Sequence, residues 1–362
     1  MIRHIDACSQ YRIRSFHQYD DAEYRSATSR WQRLVLRLQT FLVFPARFVL
    51  QARRIARDSD LVLVVTSPFF MPVLAATLIG GQTRLIGLLN DIYPEGLVAK
   101  GMIRRGGRIE AAMKRSFETA YRRFSALVFI SEHHRRFVAA PEVDARSVVI
   151  PVSAHTDPFV GHEPTPAIER VCVTYCGTLG MMHETGTFLN WLHQHGARSP
   201  VRFLFHTSGA SKRKFESDVR TVLARTGLTA DVGLQDALPE QPWIEVMKQS
   251  QVGLVFQDRG AAKIIFPSKM AGILAAGQAV LLVAEQDSDI ARLVLEGDCG
   301  WVVAPGDVAG FETSLRDMVD TRLLLDKRRN AFRLGHRLFS KESVARRWIE
   351  LFDRVGGADS AA

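Results

Sequence analysis

Short apolar segments alternate with amphipathic helical segments along nearly the whole chain, and this alternation limits the fold more than any other feature. The apolar segments predict buried strands at residues 61–65, 84–89, 126–130, 148–151, 171–176, 201–206, 252–256 and 279–283. Helical segments between buried strands are typical of βαβ units, whose strands are parallel. The chain is therefore predicted to be an α/β protein with helices packed on parallel sheets.

The alternation stops once and then restarts, which indicates two domains. Residues 157–169 carry three prolines and no regular periodicity, and 362 residues suffice for two ordinary cores. We predict an N-terminal domain at 1–160 and a C-terminal domain at 161–340. The helix within 341–362 is expected to pack back toward the N-terminal domain. Two facing Rossmann-like domains would hold a ligand in the cleft between them. The predicted helices are 31–57, 71–79, 108–124, 132–139, 185–195, 212–225, 243–249, 268–276, 290–296, 308–320 and 341–355.

The net charge of +9 comes entirely from the first half of the chain. Residues 1–160 contain 23 Lys and Arg against 14 Asp and Glu, a difference of +9, whereas residues 161–362 contain 24 of each class. Residues 31–57 interleave Trp, Phe and Leu with Arg, which suits the anionic headgroups of a membrane. A solvated outer face is the alternative. No nucleic-acid-binding motif accompanies the charge, so nucleic acid is not expected as a partner.

The N-terminus and the cysteines indicate the compartment. The first residues lack the apolar core of a signal peptide, and the four cysteines have no CxxC spacing. We therefore expect a cytoplasmic protein without a structural metal. If the basic half binds lipid, the protein would be peripheral on the inner face of the plasma membrane.

One segment is suited to binding a phosphate. Pro267, Ser268 and Lys269 stand at the start of a predicted helix, whose first N–H groups are free to bind an anion. Proline costs little at that position because its missing N–H would be unpaired anyway. Lys269 would add a positive charge. A solvated helix cap is the alternative interpretation.

Four motifs follow one another over residues 60–355. They are NDIYPE at 90–95, FIS at 129–131 with VIP at 149–151 and Asp157, YCGTLG at 175–180, and PSK at 267–269 with Ala275 and Gly277. Together they resemble the motifs of GT-B glycosyltransferases of family 4, in the branch that assembles bacterial surface polysaccharides and lipid-linked oligosaccharides. Each motif alone is weak, but the ordered set at this spacing is specific.

The resemblance implies a nucleotide-sugar donor in the second domain and an acceptor in the first. It implies transfer of a hexose-type sugar from a nucleotide diphosphate to a saccharide or polyprenyl-linked acceptor, with retention and without a metal or other cofactor. The catalytic residues would be Asp91, Glu95 and Lys269. For Asp91 and Glu95, helix capping and dipole pairing are the alternative. The donor-binding residues would be Gly177, Gly180, His183, Lys212, Pro267, Ser268, Lys269 and Gly272.

Two features depart from the family pattern. Many members have two glutamates eight residues apart, the second of which holds the ribose, whereas this chain has Ile264 and Gly272 there. Residues 1–30 lack the usual opening strand and Gly-rich loop. Two other functions therefore stay open: a sugar-nucleotide epimerase on the same fold, and a non-catalytic homologue acting as an assembly partner.

Overall fold

The computed structural model describes residues 11–14, 16, 30–99, 101–138, 141–166, 170–195, 199–226, 231–259 and 267–357. The chain forms two compact units. One comprises Met1–Ile150 with Ala345–Ala362, and the other comprises Pro151–Val344. Residues directly after Ile150 belong to the second unit: the Ala154 N–H donates to the Phe339 carbonyl at 2.8 Å.

The first unit is built on a sheet of four parallel strands in the order β1-β2-β3-β4. The strands are β1 (Leu61–Val65), β2 (Arg84–Leu89), β3 (Ala126–Phe129) and β4 (Ser147–Val149). The helices are α1 (Arg30–Leu38), α2 (Phe44–Arg57), α3 (Met71–Ile79), α4 (Glu95–Ala99), α5 (Arg108–Tyr121), α6 (Glu132–Val138) and α7 (Pro141–Asp144). Residues of α2, α3 and α5 pack with the strands in one apolar core, as expected for βαβ units.

The long helix predicted at residues 31–57 is interrupted. A π-helical segment, Gln39–Val43, separates α1 from α2. Pro45 lies in the first turn of α2, and because proline has no N–H it cannot continue the helical ladder in the preceding turn. The interruption leaves one face of α2 in the core, where Phe44, Phe48 and Ala52 are buried.

The second unit contains six parallel strands in the order β10-β9-β8-β5-β6-β7. They are β5 (Cys172–Thr178), β6 (Arg202–Ser208), β7 (Val232–Asp236), β8 (Val252–Phe256), β9 (Ala279–Val283) and β10 (Gly300–Val303). The chain runs outward from β5 to one edge and then returns to β8 to build the other half. This is the doubly wound order of a Rossmann fold, and β5 and β8 flank its switch point, where such sheets bind ligands.

The helices of the second unit follow the predicted alternation with one addition. They are α8 (Gly186–His195), α9 (Lys212–Thr226), α10 (Glu240–Gln249), α11 (Lys269–Ala275), α12 (Asp289–Glu296), α13 (Val308–Asp317) and α14 (Thr321–Phe339). Helix α15 (Lys341–Gly356) begins in this unit and continues in the first. The α/β class with parallel sheets is confirmed. The sequence analysis did not predict α14, nor the edge strands β7 and β10.

Helix α14 packs tightly against α11. At Gly335, an added Cβ would lie 2.5 Å from the Leu274 carbonyl carbon and 2.6 Å from the Ala275 nitrogen. Two turns earlier, buried Arg328 donates from Nε to the Gly277 carbonyl at 3.1 Å and from a terminal nitrogen to the Thr165 carbonyl at 2.6 Å. Burial lowers the pKa of Arg328 to about 10. Helix α14 therefore fixes the position of α11 by backbone contact, and Arg328 holds the turn that follows α11.

Candidate functional site

A cavity of about 540 Å³ opens at the carboxyl ends of β5 and β8, at the switch point of the second sheet. Every residue that lines it belongs to the second unit. Its lining combines strand ends, the start of α11 and one face of α10. The residues are Ala154, His155, Thr174, Cys176, Gly177, Thr178, Met182, His183, Trp243, Met247, Phe256, Gln257, Pro267, Ser268, Lys269, Gly272 and Ile273.

Lys269 is the basic residue of this cavity whose environment is most unusual. Its Nζ donates a hydrogen bond to the Tyr175 hydroxyl and lies 3.4 Å from His183 Nε2. Burial lowers the pKa of Lys269 to about 7, since an ammonium ion loses hydration there. The amine is therefore poised to become fully charged when an anion enters the cavity.

His183 holds the other side of Lys269. His183 Nδ1 lies 3.1 Å from the Gly180 nitrogen and 3.2 Å from the Gly180 carbonyl oxygen. With its proton on Nδ1, donated to that carbonyl, the neutral ring presents Nε2 as an acceptor to the lysine amine. Burial, together with the charge of Lys269, lowers the pKa of His183 to about 4, so the ring is neutral at physiological pH.

Gly177 allows the lysine to approach the strand end. Its φ is +140°, in a region that side chains rarely adopt, and an added Cβ would lie 3.6 Å from Lys269 Cε and 3.7 Å from Nζ. The backbone of the β5 turn therefore stays accessible beside the amine. Gly180, further along the turn, contributes the carbonyl oxygen that orients His183.

The start of α11 differs from the expected helix terminus. The N–H groups of Met270 and Ala271 bond to the carbonyls of Pro267 and Ser268 at 3.0 and 3.3 Å. They are therefore not free to bind an anion, and the helix has only seven residues. Ser268 is exposed and makes no side-chain cap bond. Any anion binding here depends on the charge of Lys269 more than on the helix.

Gly272 lies one turn after Lys269 and is covered by an aromatic ring. An added Cβ at Gly272 would lie 3.3 Å from Cζ2 and 3.6 Å from Cη2 of Trp243. The indole also packs edge-to-face on Phe159, with ring centroids 5.9 Å apart. Ile264, the other position at which the family pattern is broken, lies outside the described residues.

Lys212 is not among the residues that line the cavity. It stands at the first position of α9, where it pairs with Asp236, and Glu216 lies 3.6 Å away. The hydrogen bond to Asp236 raises the pKa of Lys212. A role in donor binding, which remains a prediction, would require this lysine to exchange Asp236 for a phosphate.

Asp91 and Glu95 both belong to the first unit. Asp91 is exposed after β2, and α4 begins at Glu95, so the capping position is Pro94 rather than Asp91. Tyr93 has a raised pKa because of its burial and the nearby charge of Asp91. Glu95 lies 3.3 Å from Lys114. The acceptor roles predicted for Asp91 and Glu95 are not tested by this geometry.

The sequence analysis gave no role to Tyr175, Trp243 or Cys176, of which the last two line the cavity. Tyr175 contacts Lys269 but lies in an apolar strand, where an aromatic residue is usually core. Trp243 opened a predicted helix, and no periodicity marks which helical residue faces a cavity. Cys176 has no cysteine partner at CxxC spacing to mark it, yet it is half-buried and lines the cavity, and burial raises its pKa to about 12. In the described part of the chain, no three His, Cys, Asp or Glu side chains are placed to hold a metal ion.

Known proteins of similar sequence and structure point to one class of enzyme. No family model matches the chain. The chain is 25% identical over 267 residues to the probable glycosyltransferase WbjE of Pseudomonas aeruginosa. The aligned region covers 70% of this chain and 64% of WbjE. The chain thus spans less than two thirds of the length of this relative.

Solved structures match over most of the chain. HepE of Anabaena in complex with UDP superimposes with a TM-score of 0.68 at 15% identity, covering 88% of this chain and 84% of that one. A glycosyltransferase from Rickettsia africae gives 0.65 at 14% identity, covering 87% and 82%. The chain has the GT-B fold of glycosyltransferases. Sucrose-phosphate synthase from Thermosynechococcus elongatus shares this GT-B fold, with a TM-score of 0.64 at 13% identity over 88% and 79%. The predicted resemblance and fold class are confirmed, and placement in family 4 stays a prediction.

Proposed function

We propose that this protein is a glycosyltransferase that moves a hexose-type sugar from a nucleotide diphosphate to a saccharide or polyprenyl-linked acceptor. The observation that carries the proposal is the buried amine of Lys269 in a cavity at the switch point of a Rossmann-type sheet. The similarity to a probable glycosyltransferase supports the reaction class. The UDP complex of a protein with the same fold supports the donor class.

The proposed chemistry is stabilisation of the departing diphosphate. The bond from the anomeric carbon to the phosphate oxygen breaks, and that oxygen gains negative charge. Lys269, charged in the complex, offsets this charge in a site where burial excludes much of the water, so the interaction is stronger than it would be in solution. Tyr175 and His183 hold the amine beside the Gly177 turn. The amine therefore does not have to be repositioned when the reaction begins.

The acceptor half of the reaction is proposed for the first unit. The acceptor hydroxyl oxygen bonds to the anomeric carbon, and its proton passes to a carboxylate, for which Asp91 and Glu95 are the candidates. Asp91 is exposed, and Glu95 is half-buried beside Lys114. We also propose that the reaction retains the anomeric configuration and needs no metal ion. Both parts of the proposal rest on the family resemblance alone.

The affinity for a nucleotide-sugar is expected to fall as the pH rises above 7, approaching tenfold per pH unit. Lys269 has a pKa of about 7 in the empty site, and a bound diphosphate raises that pKa. Binding therefore takes up a proton above pH 7, and the affinity declines until the pKa of the complex is reached. Titration calorimetry from pH 6 to 9 with UDP-, GDP- and dTDP-sugars measures this. Unlike free diphosphates, these esters lack the terminal phosphate that titrates near pH 6.

The neighbours of Lys269 do not titrate in this range, so the profile reports on the lysine. His183 has a pKa near 4, that of Cys176 is about 12, and that of Tyr175 is raised by burial. Lys269→Arg is the matched control, because arginine stays charged and should flatten the profile. It also controls for His155 at the cavity, which lies 3.1 Å from Glu240. A steep profile that survives in this variant would contradict the role of Lys269.

The titration, together with product analysis in the presence and absence of an acceptor, separates the alternatives. Failure to bind any nucleotide-sugar would favour a non-catalytic homologue. Conversion of a nucleotide-sugar with no acceptor present would favour an epimerase. Transfer that requires an added saccharide or lipid-linked acceptor would support the proposal.

We also propose that the first unit rests on the cytoplasmic face of an anionic membrane. The surface of α1, the π-helical segment and α2 exposes a series of large apolar side chains, here called the apolar surface. Its members are Trp31, Leu34, Val35, Leu38, Phe41, Leu42, Val43, Val49 and Leu50, with Trp31 75% and Leu50 85% exposed. Exposed arginines such as Arg37 and Arg53 flank it. Apolar rings beside cationic side chains match the boundary between headgroups and acyl chains.

The packing of the first unit supports binding at the membrane surface rather than a helix that crosses the membrane. In the described residues, Leu34–Arg57 is the single helix whose length and composition would suffice to cross a membrane. However, Phe44, Phe48 and Ala52 on its opposite face are buried in the core of the first unit. A helix fixed to the core by one face can present only the other to lipid.

Replacing Trp31, Leu42 and Leu50 together with serine is expected to weaken vesicle binding by at least about tenfold. Burying even one such side chain in an apolar phase contributes about 1.5–3 kcal/mol. Sedimentation with vesicles of 30% anionic phospholipid measures the effect, and zwitterionic vesicles should bind less of the unaltered protein. The matched control replaces exposed Leu295 and Val319 of the second unit with serine. Equal binding by both variants would contradict the assignment.

A further inference from the structure

The cavity changes character along α11, from polar at Lys269 to apolar one turn later. Gly272 follows Lys269 by one turn, a rise of about 5 Å. Trp243 covers Gly272 there, and Met247 and Ile273 are further apolar residues of the lining. Of the described residues that line the cavity, none is Asp or Glu. If a nucleoside diphosphate binds with its diphosphate at Lys269, its nucleoside would therefore contact apolar side chains.

Trp243 dominates this wall and is held in place. Its ring lies over Gly272 with Cζ2 3.3 Å from the position of an added Cβ, and Phe159 supports it edge-to-face at 5.9 Å. Among the polar residues of the lining, Thr174 is already engaged, since its hydroxyl bonds to Ser250 Oγ at 2.5 Å. The absence of a side chain at 272 is what leaves the indole space to lie against α11.

We propose that the donor's nucleoside packs against the indole of Trp243 and that the cavity does not select for the ribose hydroxyls. Deoxyribonucleoside diphosphate sugars would then be accepted as well as ribonucleoside ones. The inference rests on the proposed function, because it assumes that a nucleoside diphosphate binds at Lys269. It goes further by naming the class of donor.

The physical basis is the difference between two kinds of contact. A hydroxyl held by a carboxylate ordinarily contributes roughly tenfold or more in affinity, and that factor is lost when the hydroxyl is absent. Packing against an aromatic face depends on contact area and tolerates changes in the polar edge of the ligand. A wall built from Trp243, Met247 and Ile273 offers the second kind of contact.

The first test needs no variant. Titration calorimetry at pH 6.5 compares UDP with 2′-deoxy-UDP and 3′-deoxy-UDP. We expect the three dissociation constants to agree within about threefold, since a lost carboxylate contact would cost roughly tenfold. A loss of about tenfold or more for either deoxy form would overturn the inference while leaving the proposed function intact. Failure of UDP and of the other nucleoside diphosphates to bind would contradict both.

Substitutions at the indole give the second test. Trp243→Ala should weaken UDP and 2′-deoxy-UDP equally, by about fivefold or more, because an aromatic contact of this kind contributes about that factor. Trp243→Phe should retain most of the affinity. Unequal losses in the alanine variant, or no loss, would contradict packing of the nucleoside on this ring.

A paired substitution tests the missing carboxylate directly. Gly272→Glu alone would press its Cβ on the indole at 3.3 Å, whereas Trp243→Ala with Gly272→Glu provides room. We expect the paired variant to prefer UDP over 2′-deoxy-UDP by about tenfold, as a new carboxylate acceptor predicts. Trp243→Ala with Gly272→Gln is the uncharged control and should show a smaller preference. Equal binding of both nucleotides by the glutamate variant would contradict the placement of the ribose beside residue 272.

Discussion

Lys269→Met is expected to lower turnover by at least tenfold. If the lysine is the main positive charge beside the departing diphosphate, the loss should reach about 100-fold, which corresponds to about 2.7 kcal/mol. Methionine preserves the length and apolar stem of lysine and lacks the charge. Because burial already disfavours the lysine cation, the substitution should not destabilise the empty protein. Single-turnover rates at saturating donor measure the effect on the chemical step.

Two other lysines in the second unit make the result specific. Lys214 is exposed and forms an ion pair with Asp218 at 2.6 Å, so Lys214→Met should leave the rate within about twofold, as is usual for a surface pair. Lys212→Met decides the role predicted for that residue, which pairs with Asp236 outside the cavity lining. Unchanged turnover in Lys269→Met would remove the principal support for the proposed mechanism.

Gly335→Ala is expected to destabilise the second unit by about 2 kcal/mol, although the same change in an open helix usually stabilises by up to about 1 kcal/mol. The new Cβ would lie 2.5 and 2.6 Å from backbone atoms of Leu274 and Ala275. Backbone atoms cannot rotate away, so α14 and α11 must separate. Urea unfolding measures the stability, and calorimetry with UDP measures the effect on the site, since α11 begins with Lys269.

Arg329→Ala is the matched control for this helix. The residue is exposed and neighbours the buried Arg328, and its replacement should change the unfolding free energy by less than about 0.5 kcal/mol. We expect Gly335→Ala to weaken UDP binding as well as stability. A variant that is stabilised, or that binds UDP with unchanged affinity, would show that the helices tolerate a methyl group at this contact.

The sequence analysis correctly predicted the strands that consist of a continuous, buried apolar segment. Strands β1, β2, β8 and β9 have the predicted bounds because each is a short segment of β-branched and aliphatic residues. The edge strand β7 was missed because an edge strand pairs on one side only and needs less apolar sequence. Strand β10 is apolar and buried, but its four residues are too few to show a periodicity. Helix α14 was missed because its charged residues obscure the buried positions Leu324, Ala331 and Leu334.

The site was predicted in part for a similar reason. Glycines and lysines in motifs are visible in a sequence, and Gly177, His183, Pro267, Ser268 and Lys269 line one cavity. Trp243 could not be predicted, because its place over Gly272 depends on how α10 packs beside α11. The depressed pKa of Lys269 depends on burial, which no local pattern encodes.

The contact between α14 and α11 also decides how this chain can be shortened. Ala331, Leu334 and Phe339 of α14 share an apolar core with Met270 and Leu274 of α11. A fragment that ends after β10 or α13 would keep all six strands and every residue of the cavity lining, yet it would expose the back of the helix that carries Lys269. An isolated donor-binding fragment should therefore extend through Val344, and one ending at Asp320 is expected to aggregate.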